Sequence, residues 1–242
     1  MAIGDGANDV NMICAAHIGI GIRGLEGAQA ASASDFSIGQ FRFLKDLMFV
    51  HGREAYRRNS YAVCYTFYKN FIETTPIWLF GCLSMFSSTF LYNLIFYYFY
   101  NVVFTCVPII WFATFDFEYS KDILRKRPKL YWIGINDRWF NKWQFLKWFS
   151  YAIFHSTLLT FLTIYTVDST STNEKGRFAG LYVDGTYIFT MLVFLPNVKI
   201  LINSYLIEWI GVSWIAASVI LYIGCLCGIS FYFPEGNNYG NL

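Results

Sequence analysis

The 242 residues are 56% apolar and 21% aromatic, and only 14% carry a charge. An average soluble domain has about 25% charged residues, so this chain has too little polar material to cover a globule, and its hydrophobicity excludes disorder. A net charge of +2 supplies no basic field for nucleic acid, and the six cysteines show neither zinc spacings nor a secreted disulfide framework. The composition is that of a membrane protein.

In chain order, residues 1–50 read as part of an α/β domain. Met1-Ala2-Ile3 is a short apolar start that runs into Gly4-Asp5-Gly6. A helix is expected over about 8–16, and His17 to Ile22 alternates apolar and small residues as a buried strand does. Gly27 to Ala33 reads as a small-residue helix and Phe43 to Val50 as an apolar-periodic one. Fifty residues of this kind cannot bury a core alone. The start has neither the basic nor the apolar region of a signal peptide, so the chain is expected to begin inside a domain.

From residue 59 the apolar runs lengthen. A span needs roughly 20 apolar residues to cross about 30 Å of hydrocarbon, and five runs qualify: 60–84, 91–115, 144–167, 183–203 and 207–232. Tyr and Trp crowd their ends, as at membrane interfaces. The fourth run is the weakest, because Pro196, Asn197 and Lys199 interrupt it. Eight Lys or Arg fall in 116–147, against only Lys175 and Arg177 in 168–182 and none in 85–90. The positive-inside rule therefore puts residues 1–58 and 116–143 in the cytoplasm and the tail from Pro234 outside. Which membrane holds the chain is not legible.

The sharpest local signal is Gly4-Asp5-Gly6-Ala7-Asn8-Asp9-Val10. Two carboxylates four residues apart on a glycine turn after a strand suit Mg²⁺, which prefers hard oxygen ligands, and glycine lets a phosphate approach the backbone. The competing reading is an ordinary turn, where Gly, Asn and Asp predominate for conformational reasons.

These residues resemble the Mg²⁺-binding signature of the P-type ATPases. The Ala-Asn-Asp-Val-x-Met-Ile form is similar to the type IV class, the phospholipid flippases, rather than to the cation pumps. The resemblance continues through Gly24 to Ala30, Ser34-Asp35-Phe36-Ser37-Ile38, Phe41-Arg42-Phe43-Leu44 and Val50-His51-Gly52-Arg53. It returns in Phe67-Tyr68-Lys69-Asn70, in Tyr100 to Thr105, and in Arg127-Pro128-Lys129-Leu130-Tyr131. It thus spans nearly the whole chain.

The resemblance implies a mainly α-helical polytopic membrane protein of five transmembrane helices, with an N-terminal remnant of a haloacid-dehalogenase-like α/β phosphorylation domain. Residues 1–42 would end that domain, 43–59 would form a stalk, and 60–242 would be the transmembrane domain. Asp5 and Asp9 would be metal residues for Mg²⁺, with Gly4, Gly6 and Asn8 ordering the phosphate and metal shell. ATP would be the substrate of the full-length enzyme, which forms an aspartyl phosphate. The family's nucleophile motif, Asp-Lys-Thr-Gly-Thr, does not occur in these residues. As written, this chain is expected not to hydrolyse ATP and to be a C-terminal fragment, a truncated gene model or a remnant.

Ionisable residues inside a span are functional hypotheses by default. Lys69 and Glu73 lie one helical turn apart, so a structural ion pair is one reading. The other comes from the resemblance, which makes the lysine of Tyr-Lys-Asn a residue of lipid handling. Pro76 should kink its helix. In the second run Asn101 precedes Pro108 by seven residues, but Thr105 stands where a cation pump carries an acid, and 91–115 holds no acid at all. Lys69, Asn70, Asn101 and Thr105 are therefore the expected lipid path; interhelical hydrogen bonding is the alternative for Asn101. His17, His51 and His155, and Cys225 with Cys227, read as packing residues. Arg125-Lys126-Arg127 reads as a topology determinant that could touch anionic lipid.

Expected partners are membrane phospholipid, the N-terminal ATPase domains and a glycosylated accessory subunit, the last two from the resemblance. The rival functions are a non-catalytic membrane paralogue with a binding or regulatory role and a fragment of a cation-transporting P-type ATPase.

Overall fold

A computed structural model describes residues 1–24, 28–166 and 180–232. Part of the Gly24–Ala30 motif, Lys175, Arg177 and the tail beyond residue 232 lie outside the described residues. The chain is mainly helical and divides into two compact units, residues 1–56 with 119–136, and residues 57–118 with 137–242.

In the first unit, strands β1 (Ala2–Gly4), β2 (Gly19–Ile22) and β3 (Phe36–Ile38) form a parallel sheet in that order. Ile3 pairs with Ile20, and Ile20 with Phe36. The crossovers are α1 (Val10–Ala15) and α2 (Gln29–Ala33). The small residues of β2 have a packing reason. A Cβ on Gly21 would stand 2.6 Å from the Ala31 Cα, so the backbone of α2 rests directly on the strand. The Asp35 carboxylate accepts the Gly19 N–H at 2.8 Å and fixes the entry to β3. The expected strand over 17–22 is thus found two residues shorter, and β3 was not among the expected elements.

The segment over 43–50 is not a simple α-helix. After α3 (Leu44–Asp46) the backbone widens into a π-helical turn over Leu47–Gly52 and then enters α4 (Arg53–Leu83). The basic loop folds within the same unit.

In the second unit α4 continues through Pro76 without interruption. The run 91–115, expected as one helix, is divided: α5 (Leu94–Phe99), a π-helical turn over Tyr100–Phe104, and α6 (Cys106–Phe115). Asn93 caps α5 by accepting the Ile95 N–H at 2.8 Å. The basic loop of the first unit contributes α7 (Lys121–Lys126) and α8 (Trp132–Ile135). The second unit is completed by α9 (Lys142–Thr166), α10 (Leu181–Asn203) and α11 (Trp209–Tyr232). Among the described residues three stretches are long and apolar enough to cross a membrane: Leu94–Phe115, Leu181–Asn203 and Trp209–Phe231. The fourth run is among them, so Pro196 and Asn197 do not disqualify it.

The core of this unit is aromatic. Phe96, Tyr100, Phe104, Phe189 and Tyr222 are buried together, with Phe96 and Phe189 stacked at 5.7 Å and Phe104 edge-on to Tyr222 at 5.3 Å. Aromatic pairs at such separations contribute beyond the area they bury. Near one end of the unit, the fully buried Asp116 carboxylate receives the Arg57 guanidinium at 2.8 Å and the Tyr205 and Leu206 N–H groups at 2.9 Å each. A buried charge is tolerated where it is paired and hydrogen-bonded in this way.

Candidate functional site

Two groups of expected residues can be placed, one in each unit. The acidic loop leaves the C-terminal end of β1, the edge of a parallel sheet where open α/β folds bind ligands. Asp5 and Asn8 are exposed there, while Gly4 is buried. Asp9 closes the turn: its Oδ2 accepts the N–H groups of Asp5 at 3.2 Å and Gly6 at 3.4 Å. A Cβ on Gly4 would fall 2.3 Å from the Asp9 Cβ, so this turn requires a glycine at that position. Asp9 therefore holds the loop in shape, and Asp5 presents its carboxylate outward.

The donor set fits the expected ion in kind. Asp5, Asp9 and the Asn8 amide offer hard oxygens, and Mg²⁺ is commonly bound by one or two carboxylates completed by water and phosphate oxygens. Among the described residues no three His, Cys, Asp or Glu side chains gather as a closed metal cage.

In the second unit the path residues form a network around the π-helical turn. Lys69 Nζ donates to Thr105 Oγ1 at 3.0 Å and to the Asn101 carbonyl at 3.5 Å. The Asn101 amide donates to Glu73 Oε2 at 3.0 Å, while Glu73 Oε1 is buried without a hydrogen-bond partner. Lys69 and Glu73, one turn apart on α4, are joined through Asn101 rather than directly. Lys69, Glu73 and Thr105 are buried, whereas Asn101 is exposed, so the network meets the surface at Asn101. Asn70 is exposed too, and its side chain does not join.

Two prolines leave backbone carbonyls near this network for side chains to bond. Proline has no N–H, so the carbonyl four residues before it loses its helical partner. Pro108 releases Phe104, whose carbonyl accepts the Ser218 hydroxyl, with the Asn197 amide at 3.5 Å. Pro196 releases Leu192, whose carbonyl accepts the Tyr100 hydroxyl at 3.2 Å. The same hydroxyl also reaches the Lys69 carbonyl at 3.4 Å. Sequence reasoning left Glu73 without a role and missed Tyr100. For Tyr100 the available signal was the spacing of Pro196 from the Leu192 carbonyl it frees; for Glu73 the sequence held none, since Asn101 meets it only through packing.

The described residues thus hold stretches apolar enough to cross a membrane, with a polar break in one of them, and a small parallel sheet bearing an acidic glycine loop. Comparison with known proteins is more specific. Residues 31–242 match the family model described as phospholipid-translocating P-type ATPase C-terminal. The chain is 39% identical over 210 residues to the probable phospholipid-transporting ATPase 5 of Arabidopsis thaliana, covering 87% of this chain and 17% of that protein. It is 36% identical over 223 residues to the phospholipid-transporting ATPase IG of Homo sapiens, covering 92% of this chain and 20% of that protein. With the phospholipid-transporting ATPase 11C of Mus musculus the figures are the same, 36% over 223 residues.

The chain belongs to the type IV P-type ATPases, the phospholipid-translocating ATPases, as a C-terminal part of one. It spans about a fifth of the length of these curated relatives. The loop from Gly4 to Asp9 precedes the residues matched by the family model.

Proposed function

We propose that this chain supplies the lipid-conducting half of an ATP-driven phospholipid translocase, together with the end of its phosphorylation domain. The observation that carries the reading is the network of Lys69, Glu73, Asn101 and Thr105 at the π-helical turn. Buried ionisable groups in a bundle are expensive and mark substrate paths. Here they sit at a helix break whose exposed member, Asn101, can exchange its amide hydrogen bond for one to a lipid headgroup. Family membership favours lipid over cation as the cargo.

The remaining parts follow from that assignment. All five apolar runs are spans, among them the divided run 91–115 and those on α4 and α9, whose charged and polar side chains lower their apolarity. Residues 1–58 and 116–143 face the cytoplasm. Asp5, ordered by Asp9 and the glycines, holds Mg²⁺ at the end of the phosphorylation domain, where the ion neutralises charge on the transferred phosphoryl group. The domains that bind ATP and supply the nucleophile are contributed from outside these 242 residues, and an accessory subunit is a further partner.

The test joins this chain to the N-terminal part of a relative and measures lipid-stimulated ATP hydrolysis. Activity is expected in the joined protein, and Asp5→Asn should abolish it. Activity retained in that variant would exclude Asp5 from phosphoryl transfer.

A further inference from the structure

Glu73 is 3% exposed, and its two carboxylate oxygens are unequally served. Oε2 accepts the Asn101 amide N–H at 3.0 Å, whereas Oε1 is buried with no hydrogen-bond partner. Two nearby tyrosines do not fill the gap. The Tyr92 hydroxyl donates to the Glu73 carbonyl at 3.5 Å and the Tyr100 hydroxyl to the Lys69 carbonyl at 3.4 Å. A buried acceptor left in this state is costly, and on a carboxylate more so.

One turn back on α4, Lys69 has the opposite surplus. An ammonium carries three N–H donors, and two of them meet Thr105 Oγ1 and the Asn101 carbonyl. The third has no hydrogen-bond partner among the described residues. Four residues of helix set the two groups about 6 Å apart along the axis. A spare donor on a cation and a spare acceptor on an anion thus flank Asn101, the member of the network that reaches the surface.

This arrangement is complementary to a zwitterion. A phosphate fits the free N–H of Lys69, and a primary ammonium supplies both the charge and the donor that Glu73 Oε1 lacks. The Asn101 amide holds the place of that ammonium until a headgroup displaces it. Ethanolamine satisfies both ends. Choline carries the charge but no N–H, so Oε1 stays without a donor. Serine brings its ammonium together with a second carboxylate, and like charges brought together out of water are costly.

We infer that Glu73 is a specificity-determining residue of the lipid path, selecting phosphatidylethanolamine over phosphatidylserine and phosphatidylcholine by pairing with the headgroup ammonium. The inference rests on the reading of the Lys69 network as that path. The test is native mass spectrometry of the delipidated 242-residue chain in detergent, titrated with the three lipids carrying the same acyl chains. Phosphatidylethanolamine should be retained at a concentration at least tenfold lower than either of the others requires. Glu73→Gln, which keeps the shape and removes the charge, should bring the three within about threefold, and Glu73→Asp should keep ethanolamine first. If the glutamine variant loses helicity by circular dichroism, Glu73→Leu takes its place with the same expected result. Lys69→Ala should weaken all three lipids at least tenfold. A tenfold excess of phosphoethanolamine, which has no acyl chains, should not displace the lipid. Serine or choline lipid retained as well as ethanolamine lipid, a preference that survives loss of the Glu73 charge, or displacement by phosphoethanolamine would each overturn the proposal. Where those results accompany uniform weakening in Lys69→Ala, the lipid-path reading stands and only the role of Glu73 falls. Unchanged retention in Lys69→Ala would overturn both.

Discussion

The Asn101 amide nitrogen stands 3.0 Å from Glu73 Oε2 and is the only hydrogen-bond donor that this buried carboxylate receives among the described residues. Twenty-eight residues separate the two in sequence, and their meeting ties α4 to the π-helical turn. Asn101→Ala should therefore leave both carboxylate oxygens unpaired, at a cost of about 1–3 kcal/mol for a buried polar group. Thermal unfolding in detergent measures the loss. Adding Glu73→Leu should recover part of it, because two apolar groups leave nothing unsatisfied. Additive losses in the double variant would mean that the two residues do not interact.

Tyr100 and Pro196 are coupled through a carbonyl that neither residue owns. Tyr100→Phe removes the donor to the Leu192 oxygen and should destabilise by about 0.6–1.7 kcal/mol, the range for hydrogen bonds between membrane helices. In a Pro196→Ala background the helix supplies its own N–H to that carbonyl, and the tyrosine change should cost less. An equal cost in both backgrounds would contradict the account.

An exposed ion pair gives a pH prediction. Arg125 contacts both Asp46 oxygens, at 2.9 and 3.0 Å, and its hydrogen bonds hold the Asp46 carboxyl below the ordinary aspartate value. A depressed carboxylate contributes stability that is fully present above the unfolded value, about 3.9, and is lost as pH falls through the lower folded value. Carbon-13 titration of the carboxyl should show its midpoint rising when Arg125→Ala is introduced. Stability at neutral pH should hardly change, since exposed pairs contribute little.

Much of this architecture is legible in the residues. Four of the apolar runs fall on the long helices α4, α9, α10 and α11, while the run 91–115 is divided. Strand β2 was readable from its alternation, and the glycine turn after β1 from composition. Other features were hidden for physical reasons. Phe36–Ile38 is too short to show a period of two. The division of 91–115 leaves no mark in hydropathy, since Tyr100 to Phe104 is apolar whether the turn is α or π. The partner of Glu73 depends on tertiary packing, and helical spacing pointed instead to Lys69.

The central claim is that the Lys69 network carries lipid, and vesicle transport tests it most directly. The joined enzyme, reconstituted with fluorescent phospholipid, is assayed with Lys69 intact and as Lys69→Ala, alongside phosphoenzyme formation from ATP. The account predicts at least tenfold slower transport, about 1.4 kcal/mol, with phosphoenzyme still formed. Transport at the original rate in Lys69→Ala would contradict it.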